Sequence, residues 1–401
     1  MKNYGIPMGI LIRNERKKRN LTVVQLSEET NYSRSYLSRI ENGAEVDESV
    51  YINILNNFGI KHYTEVECEN YSKLLSDIML DLIYLRCSKD KLEKILLEIE
   101  PYKYSSIYAK YMILKLMYYV LFIESENKEK MKFIDEIDEL SYLFSAQEQQ
   151  VINDYLGYEL INKDSNAAKE YFTTALTFGI HNYSTSILYY HIGILNYRQN
   201  NLCEALYFCM KAHDRFSLEL NHIRLFYTQL HIANIFSISC NYDQANIIYE
   251  RLLKSTIIPD EDKTIVYSNM SWNHYKAGNF NEALSYSMLQ SSKNYAYYFH
   301  MVMIYNALDD KEEICNLLKE TKQLKLNELQ TNIFNILETE FITHDKNIKY
   351  LSLLLNTYEN ARNSDEADIL SILNNFIVTY YEENRQYKEA NYYLRINNKQ
   401  S

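Results

Sequence analysis

The first sixty residues set apolar and polar positions at helical spacing in short blocks. In ILIRNERKKRN, residues 10–20, the apolar side chains share one face and Arg13, Arg16, Lys17, Lys18 and Arg19 surround the rest. LTVVQLSEET follows, with Thr22 and Gln25 at the spacing of a capping box that opens a second helix. Asn31 ends that helix, Ser33 has the side chain of an N-cap, and RSYLSRIEN is a third helix stopped by Gly43. The pattern from Ile10 to Ile60 predicts four or five short helices, with a tight turn between the second and the third. Leu37 and Ile40 take the core side of the third helix, so Arg34, Ser35, Ser38 and Arg39 project elsewhere.

Beyond residue 65 the pattern repeats over a longer period. IGILNYRQNNLCEALYFCMKA (192–212), IANIFSISCNYDQANIIYERL (232–252) and MSWNHYKAGNFNEALSYSMLQ (270–290) align so that Ala205, Ala245 and Ala283 coincide. Each has a small residue early (Gly193, Ala233, Ser271), a polar turn, and Leu202, Tyr242 or Phe280 three positions before the alanine. Small side chains at two fixed places are what two antiparallel helices need in order to cross closely. Segments 155–176 and 377–394 fit the same pattern, the latter with Tyr387 and Ala390; 296–320 and 325–375 match less well, and 65–150 is helical in period but degenerate. The spacing predicts roughly seven to nine helical pairs of about 34 to 40 residues each. This pattern resembles the tetratricopeptide repeat and implies a right-handed superhelix with a concave wall built from the first helix of every pair.

Composition agrees with an all-α chain. Eight glycines and three prolines (Pro7, Pro101, Pro259) among 401 residues leave little turn chemistry for β-hairpins. The charge is divided: residues 1–62 carry nine Lys/Arg against seven Asp/Glu, and the rest carries 33 against 46. A slightly basic head precedes an acidic body, so nucleic acid belongs to the head. Charge and repeats together divide the chain into a head suited to nucleic acid, 1–65, and a repeat domain, 66–401.

No run approaches the roughly 18 to 20 apolar residues of a bilayer span, and the N-terminus lacks the pattern of a signal peptide. A cytoplasmic protein that does not engage a membrane is expected. Cys68, Cys87, Cys203, Cys209, Cys240 and Cys315 lack metal-ligand spacing and are expected as free thiols. His191, His222, His231, His274, His300 and the pair Glu28 and Glu29 come without HExxH, a nucleophile elbow or a phosphate loop. No catalytic residue, cofactor or metal is expected, and the chain is read as a binding protein.

The stretches IRNERKKRNLT, QLSEET and SRSYLSRIENG resemble the Xre/Cro family of helix-turn-helix domains in spacing, in apolar positions and in the terminal Glu-Asn-Gly. The resemblance implies that Arg34, Ser35 and Arg39 face bases, that Ser33, Ser38 and Asn42 lie near phosphates, and that Tyr36 is placed against a thymine methyl. It also implies an internal ion pair between Arg16 and Glu41. Val23 departs from the family, which often has Gln there. An arginine fork suits guanine O6 and N7, and hydroxyls and backbone N–H groups suit phosphate.

A head of this type on a tetratricopeptide body resembles the RNPP group of peptide-pheromone receptors. The resemblance implies a homodimeric transcriptional regulator that binds a double-stranded DNA operator. A short linear signalling peptide in the concave groove would control it, as in quorum sensing that governs virulence, sporulation or competence. Counting along the first helices puts Tyr190, Ile194, Tyr197, Tyr227, Asn234, Asn269, Trp272, Asn273, Tyr275 and Asn306 on or near that wall. An Asn amide pairs with both the N–H and the C=O of a peptide, and aromatics supply contact area at low entropic cost. Tyrosines, 39 in all, also suit packing between repeats. Two other readings stay open: a scaffold that binds a protein partner, and a constitutive phage or plasmid repressor that uses its repeats for dimerisation alone.

Overall fold

The computed structural model describes residues 8–400 apart from 45, 64, 180–181, 257, 260–261 and 363–366; Pro7 lies outside them. The described residues form helices and no strand. None of these helices is long and apolar enough to cross a membrane. The order begins α1 (Met8–Lys18), α2 (Val23–Thr30), α3 (Arg34–Glu41), α4 (Glu48–Asn57), α5 (Glu65–Ile83), α6 (Lys89–Ile99), α7 (Tyr108–Phe122) and α8 (Lys128–Leu140). It continues through α9 (Ala146–Leu160), α10 (Ser165–Thr177), α11 (Tyr183–Arg198), α12 (Leu202–Leu218), α13 (His222–Ile238), α14 (Tyr242–Leu253) and α15 (Thr264–Lys276). The last are α16 (Phe280–Met288), α17 (Tyr295–Ala307), α18 (Lys311–Thr321), α19 (Glu328–Glu338), α20 (Ile348–Arg362), α21 (Ala367–Glu383) and α22 (Tyr387–Gln400).

Two compact units divide the chain: Met1–Leu195 with Leu218–Arg224, and Asn196–Ser217 with Leu225–Ser401. In the first unit, local chemistry sets the boundaries of α2 and the start of α3. Thr22 and Gln25 close a reciprocal capping box, Asn31 takes the left-handed conformation (φ 59°), and the Ser33 hydroxyl accepts from Tyr36 N–H. Leu11, Ile12, Leu26, Leu37, Ile40, Ile54 and Leu55 form the core, each at most 2% exposed. Gly9 lets α1 lie on the end of α3; a Cβ there would stand 1.8 Å from the Ile40 carbonyl oxygen. The head also bonds to the helices after it, through Tyr104 O–H to the buried Glu15 and the Lys18–Glu136 pair at 2.6 Å. The His62 ring adds contacts to the Tyr104 carbonyl (2.9 Å) and Glu48 (3.1 Å).

In the same unit α9 and α10 cross closely at Gly157, where a Cβ would lie 2.8 Å from the Phe172 ring. Gly157→Ala is expected to cost about 1–3 kcal/mol by overpacking, read as a lowered urea midpoint with unchanged slope.

The second unit repeats one turn. Asn200, Cys240, Gly278, Asp309 and Arg385 all have left-handed φ, between 57° and 80°. The next residue's N–H closes onto the carbonyl five positions back each time: Asn201 to Asn196, Asn241 to Phe236, Asn279 to His274, Asp310 to Tyr305 and Gln386 to Tyr381, at 2.8–3.0 Å. Two positions after the left-handed residue the next helix begins, at Leu202, Tyr242, Phe280, Lys311 and Tyr387. Five positions after it comes a buried residue, Ala205, Ala245, Ala283, Ile314 or Ala390. The fourth copy departs in side chain only: Ile314 stands where the others have alanine. At the crossing of α15 and α16 the Ser271 hydroxyl donates to the Ala283 carbonyl at 2.8 Å and lies 2.7 Å from the Ser287 hydroxyl.

Candidate functional site

The third helix of the head presents its polar face outward. Leu37 and Ile40 are fully buried, and Ser33, Arg34, Ser35, Ser38, Arg39 and Asn42 are exposed. Tyr36 is half-buried, its ring 5.6 Å from that of Tyr32. Arg34, Ser35, Ser38 and Arg39 stand at helical spacing on one face, so a single groove can meet all four. Several α1 cations are committed elsewhere. The Arg16 guanidinium donates to both Glu41 oxygens (2.6 and 2.8 Å) and to the Leu21 carbonyl (2.6 Å). Lys18 pairs with Glu136, and Arg19 lies over the Phe58 ring at 5.1 Å. Arg34 and Arg39 remain on the open face of α3, beside the first N–H groups of that helix.

The second unit contains a cleft of about 400 Å³. Tyr197, Asn234, Asn269, Trp272, Tyr249 and Asp368 line it together with Arg198, Lys276, Tyr295, Phe299 and His300. Asn234 joins two of these residues, its Oδ1 accepting from Tyr249 O–H (2.7 Å) and Asn269 Nδ2 (2.9 Å). Both bonds fall on the oxygen, which fixes the amide orientation and leaves Nδ2 as the donor that neither engages. Trp272 is stacked between Tyr275 and His300, with centroids 4.7 and 4.5 Å away and planes within 10°. Its indole N–H donates to Asp368 Oδ2 at 2.6 Å, and Lys276 Nζ reaches the same oxygen at 3.4 Å.

Burial sets the protonation of the lining. It lowers the His300 imidazole to about 4, with Asp368 opposing and Lys276 adding to the shift. Burial, with the Asp368 charge, raises the Tyr197 phenol to about 12. At neutral pH the wall therefore offers neutral rings, three amides, two cations and one carboxylate. Such a surface binds through hydrogen bonds and stacking. Among the described residues no group of three or more His, Cys, Asp or Glu could hold a metal ion.

Residues 12–64 match the helix-turn-helix family HTH_3. A comparison with curated proteins gives no match. Among solved structures, the apo form of the quorum sensor NprR from B. thuringiensis is similar over 83% of this chain and 99% of its own, with a TM-score of 0.64 and 18% identity. NprR in complex with its cognate peptide NprX is similar over 82% and 98%, with a TM-score of 0.60 and 18% identity. The phAimR structure matches over 96% of this chain and 99% of its own, with a TM-score of 0.52 and 16% identity. At these identities the likeness is one of fold.

The cleft gathers Tyr197, Asn234, Asn269 and Trp272 from the residues expected on a concave wall, with Tyr275 stacked against the indole. Asn273, expected there too, is instead fully buried against α14, its Nδ2 donating to the Tyr242 carbonyl (3.1 Å) and Asn246 Oδ1 (2.8 Å). Asn306 is exposed at the end of α17, and Tyr227 packs edge-on to Phe226 at 5.5 Å; neither lines the cleft. Tyr190 and Ile194 belong to the first unit, where Tyr190 is buried under the Arg224 guanidinium at 5.5 Å and Ile194 is half-buried. Counting along first helices missed Tyr249, which reaches Asn234 from the second helix of its pair. It also missed Lys276, although 269, 272 and 276 form one helical stripe.

Proposed function

We propose that the chain is a DNA-binding transcriptional regulator of the RNPP kind, controlled by a short linear peptide bound in the cleft of the second unit. The observation that carries this reading is the Asn234–Asn269 amide pair set among stacked aromatic rings. It offers a peptide backbone both donors and acceptors inside a wall that also takes side chains. NprR, whose fold this chain resembles, is described as a quorum sensor and has been solved with its cognate peptide. The regulator acts in the cytoplasm by binding and not by catalysis. A homodimer would place two exposed α3 helices on two half-sites of an operator, which compensates for the small contact of one head.

The test is isothermal titration of the purified chain with synthetic peptides taken from the C-termini of small open reading frames beside its gene, each against its scramble. Micromolar or tighter binding by one sequence, with a change in operator affinity, is the expected result; no binding by any of them overturns the reading. The two functions should also separate by mutation. Arg34→Ala should weaken operator binding by about 1–3 kcal/mol and leave peptide binding unchanged. Asn234→Ala should weaken the peptide and leave DNA binding without peptide at its wild-type value. Variants that disturb both functions equally while folded contradict the division of labour.

A further inference from the structure

We infer that Asp368 is the residue through which an occupant of the cleft acts on the last helix pair, α21 and α22; the inference rests on reading the cleft as a peptide site. Asp368 is the second residue of α21, in the first turn, where unpaired backbone N–H groups favour a carboxylate. Two donors from α15 converge on its Oδ2. One is the Trp272 indole N–H, whose direction is fixed because the ring is held between Tyr275 and His300. The other is Lys276, one turn further along the same helix. The chief packing partners of α21 are α20 and α22, and Asn374 Nδ2 reaches the Tyr393 carbonyl of α22 at 3.3 Å. The carboxylate is thus a polar tie between α15 and a helix that packs mainly on other neighbours.

This tie borders the cleft and is accessible from it. The Asp368 side chain keeps 43% of its exposure and Lys276 only 18%. Trp272 as a residue keeps 8%. A buried indole N–H cannot lose its acceptor without a cost, so an apolar occupant leaves the bond in place. A peptide backbone carries both partners that opening the tie requires. Its carbonyl can accept from Trp272 while its N–H donates to Asp368, so a peptide inserts between the two with no buried polar group left unpaired. The first turn of α21 then loses its hold on α15. The movement passes to α22, whose Tyr387 and Tyr392 rings are exposed.

Amide hydrogen exchange on the full chain tests the tie without a ligand. In Asp368→Ala the first two turns of α21 should exchange at least about ten-fold faster, the scale of one hydrogen bond to a charged group, while α15 and α17 keep their protection. Trp272→Phe keeps a stacked ring and deletes the N–H; it should give a smaller change at the same amides and add nothing to Asp368→Ala. Unchanged α21 exchange in Asp368→Ala, or additive effects in the double variant, overturns the inference. The synthetic peptide that binds in the titration above supplies the second arm. It should speed α21 exchange in the wild type and cause no further change in Asp368→Ala. A peptide that binds and leaves wild-type α21 protected overturns the coupling. Binding by no peptide overturns the peptide reading instead, while the ligand-free variants still decide whether the tie exists.

Discussion

Replacing Glu41 with alanine is expected to unfold the head, at a cost of about 3–5 kcal/mol. Arg16 and Glu41 are 9% and 4% exposed, and the guanidinium spends its donors on both carboxylate oxygens and on the Leu21 carbonyl. Removing the carboxylate leaves a buried, always-charged arginine with one backbone acceptor. A domain of about sixty residues has few kcal/mol to lose, so this one change removes the exposed polar face of α3 along with the ion pair that ends it. The double variant Arg16→Met/Glu41→Leu should recover much of the loss, because two apolar side chains need no pairing. Urea unfolding followed by amide exchange in α1–α4 measures both. Equal destabilisation by the single and double variants would mean that packing, and not an unpaired charge, is what Glu41 supplies.

The head was legible because its signals are local. Thr22 with Gln25, Asn31 and Ser33 each act within four residues, so their geometry follows from the sequence around them. The repeats were legible wherever alanine marks the helix crossing, and became hard to read at Ile314, where the backbone turn persists and the side-chain signal does not. The turn is a backbone event, a left-handed residue followed by a closing N–H, and Asn, Cys, Gly, Asp and Arg all serve it. The eye follows side chains and loses the copy.

The cleft was legible on one helix and hidden across helices. Trp272 and Asn269 follow from the stripe on α15, but Asn273, one position from Trp272, turns to α14. A helical wheel does not say where a stripe ends; the neighbouring helix decides it. Asp368 lies 96 residues from Trp272, in a segment whose repeat pattern is weak, and no spacing rule joins them. In the basic cluster of α1 the structure forms the Arg16–Glu41 pair that the helix-turn-helix resemblance implies, and Lys18 pairs with Glu136, a partner no spacing rule names.

Stability of the second unit should fall as the pH drops from about 6.5 to about 4, through His231 and His300. Burial lowers both imidazoles from 6.5 to about 4, with Arg198 adding to the shift of the first and Lys276 to that of the second. Above pH 6.5 both are neutral whether the chain is folded or not, and the full stability is present. Below it the unfolded chain binds protons at these two imidazoles that the folded chain refuses until about 4, and burial lowers His274 of α15 as well, so the unfolded state gains with each step toward acid. Each histidine then costs up to about 1.4 kcal/mol per pH unit within that window, and the loss levels off once the folded imidazoles also titrate. The physical reason is plainest at His300. Its Nδ1 is buried without a hydrogen-bond partner among the described residues and its ring stacks on Trp272, so a proton there gains no hydrogen bond from them and meets the Lys276 charge, with Asp368 compensating in part. Urea titrations between pH 7.5 and 4.5, followed by the emission of Trp272, the single tryptophan, measure the slope. In His300→Gln the decline between pH 6.5 and 5 should be shallower than in the wild type, since one of the imidazoles that refuse a proton is gone. An unaltered slope would assign the acid sensitivity to other groups.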